Sequence, residues 1–127
     1  MKYLLDTHTA LWSLGEYDTL SKTATEIIAN ESGSLYVSIV SAWEVAIKTG
    51  VGKLDFEGGS KRFIEEMRIS RVKILGVESS HIHYVETLPL IHRDPFDRLL
   101  IAAAKVEDMT ILTADKDIHM YDVLSLW

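Results

Sequence analysis

The 127-residue chain contains no cysteine. A disulfide framework, a thiolate metal site and a cysteine nucleophile are therefore excluded, and any metal ion must be bound through oxygen or imidazole ligands. No apolar stretch approaches the roughly 20 residues that a bilayer-spanning helix needs. No long apolar segment precedes the first acid, Asp6, as a signal peptide would require. We therefore expect no membrane association and a cytoplasmic location.

Basic residues are in the minority, with 13 Lys and Arg against 19 Asp and Glu and a formal net charge of -6. This balance weighs against a protein that binds nucleic acid through a broad basic face. It does not exclude a nucleic-acid substrate, because a metal ion would neutralise some of the acids and single basic side chains can still contact phosphates. The candidates for such contacts are Arg62, Arg68, Arg71, Lys73, Arg93 and Arg98.

Short apolar runs alternate along the chain with segments of helical periodicity. The expected strands are residues 2–5, 35–38, 72–75, 110–113 and, at the sheet edge, 123–126. The expected helices are residues 7–14, 21–30 with Ser21 as N-cap, 41–48, 61–69, 79–88 and 95–107. This alternation predicts a parallel sheet covered on both faces, an α/β/α three-layer sandwich with a short parallel sheet of four to five strands. From the length we expect a single domain over residues 1–127.

Four isolated acids follow apolar runs or stand near the start of the helices behind them: Asp6, Glu44, Asp97 and Asp115. The carboxyl ends of strands in an open parallel sheet lie along one crevice, so acids from distant parts of the sequence can converge there. Converging carboxylates repel one another, and the repulsion raises their pKa values unless a cation relieves it. The positions of these acids therefore predict one metal site.

The first two acids also have local interpretations. Asp6 is placed to cap the helix that follows it. Glu44 lies four residues before Lys48, the order that favours a pair on an exposed helix face. Asp6 is followed by Thr7 and His8, an order similar to that of aspartyl phosphatases, but those enzymes carry a second aspartate where this chain has His8.

Two later acids, Asp94 and Asp97, lie at the start of the same predicted helix. Asp94 is a plausible N-cap, with Pro95 at the first helical position. Asp97 begins a largely apolar helix and needs a partner, which could be Arg98, Lys105 or a metal ion. Two further acids, in the loop expected after the fourth strand, are common turn formers: Asp115 and Asp117.

Histidine and tryptophan give weaker signals. The five histidines form no recognisable ligand pattern, so a histidine zinc site has little support and we expect surface or capping roles for them. Trp12 and Trp43 occupy helical positions without regularly spaced basic neighbours. We therefore expect them to pack in the core and not to form a base-stacking platform.

Four segments carry these acids in a compatible order that spans nearly the whole chain: Leu4–Trp12, Ser41–Lys48 with Gly52–Leu54, His92–Ala102 and Leu112–Asp115. Each motif is weak by itself, but their combination is specific. With all four, the chain resembles a PIN-domain ribonuclease of the VapC toxin type, and the phosphatase interpretation falls behind.

The resemblance implies an RNA-cleaving toxin of a type II toxin-antitoxin system that uses Mg²⁺ or Mn²⁺, is silenced by a cognate antitoxin and forms a homodimer. The family's acidic site falls on Asp6, Glu44, Asp97 and Asp115, with Thr113 as a helper that orients metal-bound water. Asp94 and Asp117 stay outside the assigned set. The alternative is a catalytically inactive PIN-like binding module held in a protein complex.

Overall fold

Five parallel strands form the sheet in the computed structural model, which describes residues 1–127. They are β1 (Tyr3–Leu5), β2 (Leu35–Ser38), β3 (Lys73–Leu75), β4 (Thr110–Leu112) and β5 (Ser125–Leu126). Their order in space is β3-β2-β1-β4-β5, and every neighbouring pair is parallel. The predicted parallel sheet is therefore confirmed, including the edge position of the last strand, although most strands are shorter than predicted.

Seven helices and one 3₁₀ turn, Tyr17–Thr19, connect the strands. The helices are α1 (Thr7–Ser13), α2 (Lys22–Asn30), α3 (Ile39–Gly50), α4 (Gly59–Ile69), α5 (Ser79–Val85), α6 (Pro95–Glu107) and α7 (Lys116–His119). None of them combines the length and the apolar character that crossing a membrane would take.

The two faces of the sheet carry separate apolar clusters, as the period of two in a strand requires. Tyr3 and Leu5 face a cluster built with α1 to α4, while Leu4 faces a cluster built with α6 and α7. Helix α5 packs against α6 on this second side. The residues of both clusters are almost fully buried, which confirms the three-layer α/β/α sandwich.

Several helix boundaries differ from the predicted ones by one to three residues, and one helix was not predicted. Helix α3 begins two residues early, because the Ser38 hydroxyl accepts a hydrogen bond from the Val40 N–H at 3.0 Å and caps the helix directly after β2. Helix α5 ends at Val85, and residues 86–88 continue as turns whose N–H groups bond three residues back. The loop expected after β4 contains helix α7, capped by Asp115.

The sheet order determines where the candidate acids lie. Strand β1 has β2 on one side and β4 on the other, and all three run in the same direction. Their carboxyl ends therefore share one edge of the sheet, and the residues that follow them meet there.

Candidate functional site

Asp6 directly follows β1 and is buried, with 5% of its surface exposed. Its Oδ1 atom accepts the Thr9 N–H at 2.8 Å and so caps α1. Its Oδ2 atom accepts the hydroxyl of Thr113, the residue after β4, at 2.5 Å. The capping interpretation is therefore correct, and the same side chain also joins the ends of two neighbouring strands.

Glu44 lies in the second turn of α3 and is 3% exposed. Its Oε1 atom accepts the Thr7 hydroxyl at 2.6 Å, and its Oε2 atom lies 2.5 Å from Nζ of Lys48. The hydrogen bond that Lys48 donates to Glu44 raises the pKa of Lys48, with a smaller coulombic contribution from the same carboxylate. The expected pair with Lys48 exists, but its carboxylate is buried and does not belong to a solvated helix face.

Asp97 has a partner that the sequence did not indicate. Asp94 caps α6 by accepting the Phe96 N–H at 2.8 Å, as predicted. The Oδ2 atom of Asp97 lies 2.9 Å from Nε2 of His92. The two expected partners are engaged elsewhere, since Arg98 bonds the carbonyl of Pro89 and the Tyr121 hydroxyl, and Lys105 pairs with Asp122.

The pKa of Asp97 reflects the charges of the other acids near it. Burial raises the pKa of Asp97 to about 7, and repulsion from Asp94, Asp6 and Glu44 adds to the effect, while His92 opposes it. Asp6 and Glu44 come from β1 and α3, far from Asp97 in sequence. Their charges act on Asp97 because the fold brings the three carboxylates to one place.

Asp115 is connected to this group through His92. The Nε2 atom of His92 lies 3.2 Å from Oδ2 of Asp115 and 2.9 Å from Asp97, so one imidazole links both acids. Burial lowers the pKa of His92. The carboxylates of Asp97 and Asp115 together raise it by more, so the net shift is upward. One ligand atom each from His92, Asp115 and the exposed Asp117 lie within 4.8 Å of one another.

Several sequence interpretations need correction here. His92 is partly buried and pairs with two acids, which neither a surface nor a capping role describes. His81 is buried and pairs with Glu107 at 2.9 Å, but its Nδ1 accepts the Glu78 N–H in a capping box at the start of α5, so the capping role is confirmed for His81. Trp43 is 58% exposed and contacts the Phe96 ring edge to face at 5.1 Å, so it is not a core residue. The available signal for His92 was its place five residues before Asp97 in the same segment.

The donor set suits a hard divalent cation. Asp6, Glu44 and Asp97 offer carboxylate oxygens, which Mg²⁺ and Mn²⁺ prefer. The raised pKa of Asp97 is the response expected of grouped carboxylates that a cation would stabilise. A surface cavity of about 280 Å³, lined by Asp6, His8, Trp12, Ala114 and Asp115, gives access to the group. The residues present therefore fit a metal ion.

The comparisons with known proteins agree with this architecture. The family model of the PIN domain matches residues 3–124. The VapBC2 complex from Rickettsia felis, solved with a promoter DNA fragment, has a TM-score of 0.75 at 16% identity over 100% of this chain and 99% of that chain. VapBC-1 from nontypeable Haemophilus influenzae has a TM-score of 0.62 at 19% identity, over 99% of this chain and 97% of that chain. A toxin-antitoxin complex from Klebsiella pneumoniae has a TM-score of 0.59 at 16% identity, over 94% of this chain and 92% of that chain. No curated protein sequence matches significantly.

Replacing Thr113 by Val tests the hydrogen bond that fixes Asp6. Thr113 is fully buried, and the substitution leaves a buried carboxylate without one of its two donors and the Asp115 N–H without its acceptor. We expect the free energy of unfolding in urea, at neutral pH with a chelator, to fall by about 1.5 to 3 kcal/mol. Thr110→Val in β4 is the control, because the Thr110 hydroxyl makes no side-chain hydrogen bond, and it should change the value by less than about 0.5 kcal/mol. Equal effects of the two substitutions would contradict a special role for Thr113.

Proposed function

This chain belongs to the PIN domain family, and from that premise we propose that it is a metal-dependent endoribonuclease, the toxin of a toxin–antitoxin pair. The observation that carries the proposal is the grouping of the acids by direct contacts: Thr7, next to Asp6, bonds Glu44, and His92 links Asp97 to Asp115. Burial, with repulsion from Asp94, Asp6 and Glu44, raises the pKa of Asp97 to about 7, in agreement with this grouping. Grouped, buried carboxylates at the carboxyl ends of strands are costly for stability, and a bound cation and its chemistry account for them.

The proposed metal ligands are Asp6, Glu44, Asp97 and Asp115, and the proposed ion is Mg²⁺ or Mn²⁺. Such an ion, when bound, supplies an activated water and stabilises the charge that develops on a phosphodiester. The protein contributes the positions of its ligands. The hydroxyls of Thr113 and Thr7 hold Asp6 and Glu44 in fixed orientations.

Two basic side chains adjoin the proposed site. Lys48 contacts Glu44, and His92 lies between Asp97 and Asp115. Lys48 brings positive charge to Glu44, and a protonated His92 does the same for Asp97 and Asp115.

The toxin role is supported by the likeness to complexes that are described as VapBC and as toxin-antitoxin assemblies. On this basis the partner is a cognate antitoxin protein, whose gene we expect beside the gene of this chain. The proposed substrate is RNA, which places the activity in the cytoplasm.

A homodimer is the assembly that we propose, and helix α3 supplies its surface. Ile39, Trp43, Ile47 and Val51 follow one another at intervals of four residues and are 38%, 58%, 40% and 63% exposed. Side chains spaced by four form a ridge that packs into the grooves of another helix. The same ridge on a second copy is self-complementary about a two-fold axis, and it contains no charge that would repel itself. We therefore assign this ridge to a second copy of the chain.

A catalytically inactive PIN-like binding module is the second candidate function. The observation that favours it is that Lys48 and His92 already neutralise part of the acidic group. Such a module would bind its protein partner without taking up metal. An aspartyl phosphatase has less support, because the position two residues after Asp6 holds the exposed His8 and not an acid.

Substitution of Asp6 by Asn tests the proposed activity. Asparagine can still cap α1, so the fold should persist, but it removes a charged metal ligand. We expect the unsubstituted protein to cleave single-stranded RNA with Mg²⁺ or Mn²⁺, and Asp6→Asn to lower the rate by at least about a hundredfold. Asp18→Asn, at an exposed position of the 3₁₀ turn, should leave the rate unchanged. Undiminished cleavage by Asp6→Asn at matched purity would show that the proposed metal site is wrong.

Metal titration separates the nuclease from the inactive module. Saturable Mn²⁺ binding should raise the free energy of unfolding by about 2.7 kcal/mol when the ion is present at a hundred times its Kd. Calorimetry and thermal unfolding measure the uptake and the stability gain. Glu44→Gln should weaken both, whereas Glu26→Gln, on the exposed side of α2, should change neither. A binding module would show no saturable uptake in either protein.

The proposed dimer is tested by placing a charge in the α3 ridge. Light scattering after gel filtration should give twice the chain mass, and Ile47→Glu should give the mass of one chain, because the substitution puts two like charges in the contact. Ile69→Glu, at a 75% exposed position of α4, is the control and should leave the mass unchanged. A monomeric parent protein, or an Ile47→Glu protein that remains dimeric, would argue against this interface.

A further inference from the structure

Two surface cavities adjoin the acidic group, and His8 lines both of them. We propose, on the basis of the proposed nuclease function, that His8 and Lys53 form a nucleoside-binding pocket. The pocket receives a base and its phosphate from single-stranded RNA, beside the phosphodiester that is cut.

The position of His8 is the first support for this pocket. His8 is exposed in the first turn of α1, two residues after Asp6. The first cavity contains Asp6 and Asp115, and the second contains Glu44. His8 therefore borders both of the cavities that contain proposed metal ligands.

The imidazole of His8 is held by a row of aromatic rings. Its centroid lies 5.8 Å from the ring of Trp12, with 33° between the planes. The Trp12 ring in turn lies 5.8 Å from Trp127, and both tryptophans pack against the core cluster of α1 to α4. An exposed ring that contacts a neighbouring aromatic side chain and lines a cavity is a surface on which a base can stack. Trp12 thus supports a stacking surface as well as packing in the core.

The second cavity has the composition of a nucleoside site. Its volume is about 240 Å³, and Leu11, Val45 and Leu54 give it apolar walls. Two lysines, Lys48 and Lys53, lie at the same cavity. An aromatic face, aliphatic walls and a nearby cation match the base and the phosphate of one nucleotide.

Lys53 is the cation that is free to bind a phosphate. Lys48 already pairs with Glu44, whereas Lys53 is exposed and makes no ion pair. In a chain with a net charge of -6, binding of RNA depends on such local cations. We therefore assign the phosphate contact to Lys53 and the base contact to His8.

The test uses proteins that carry Asp6→Asn, so that bound RNA is not cut. Fluorescence anisotropy measures the Kd for a labelled single-stranded RNA of eight nucleotides at low salt with Mg²⁺. His8→Ala should weaken binding on the order of tenfold, and His8→Phe, which keeps an aromatic face, should stay within about twofold. His83→Ala removes an exposed histidine of α5 that lines neither cavity, and it should leave the Kd unchanged.

The salt dependence of binding tests Lys53. Lys53→Ala should lower the slope of log Kd against log salt by about 0.7, the value for one phosphate contact on a single strand. Lys22→Ala, at an exposed lysine of α2 that makes no ion pair and lines neither cavity, should leave the slope unchanged.

Every result of these binding measurements either supports or overturns the proposed nucleoside-binding pocket. Loss of affinity in His8→Ala with retention in His8→Phe, together with the lower slope in Lys53→Ala, supports the pocket. Unchanged binding by His8→Ala, equal loss in His8→Phe, an unchanged slope in Lys53→Ala or no RNA binding by the Asp6→Asn parent overturns it. Cleavage by the protein with Asp6 intact is measured separately. RNA that is bound but never cut therefore counts against the nuclease function and not against the pocket.

Discussion

Repulsion among buried carboxylates is the interaction on which the rest of this site depends. Asp6 and Glu44 are almost fully buried, and their charges, with that of Asp94, help to raise the pKa of Asp97. The fold limits this cost with hydroxyl donors and with two basic partners, Lys48 and His92. Capping of α1 accounts for one carboxylate oxygen of Asp6, but not for the grouping of several acids in a partly buried site. We therefore attribute the grouping of these acids to the proposed metal site.

Helix capping and site formation use the same acids. Asp6, Asp94 and Asp115 each accept backbone N–H groups at the start of a helix. In Asp6 and Asp115 the cap occupies one carboxylate oxygen, and the other oxygen contacts Thr113 or His92. The cap fixes the side chain without using all of its lone pairs, so one residue can serve local structure and a shared site. Capping a helix and taking part in the proposed metal site are therefore compatible roles for these acids.

The surface divides into regions with different physical character. The acidic group opens between cavities bordered by His8, while the apolar ridge from Ile39 to Val51 runs along the outer face of α3. Both use α3, because Glu44 lies on its buried side and Trp43 on its exposed side. A single helix therefore links the proposed metal site to the proposed dimer contact.

The sequence by itself determined the alternation of strands and helices, the parallel sheet and the caps at Ser21 and Asp94, because periodicity and capping depend on neighbouring residues. It also selected Asp6, Glu44 and Asp97, since strand ends of a parallel sheet share an edge. Only the tertiary structure decided that His92 pairs with Asp97 and Asp115, that Trp43 is exposed and that His8 borders two cavities. These contacts join residues whose distance in space depends on how whole layers pack, and no local pattern encodes that distance.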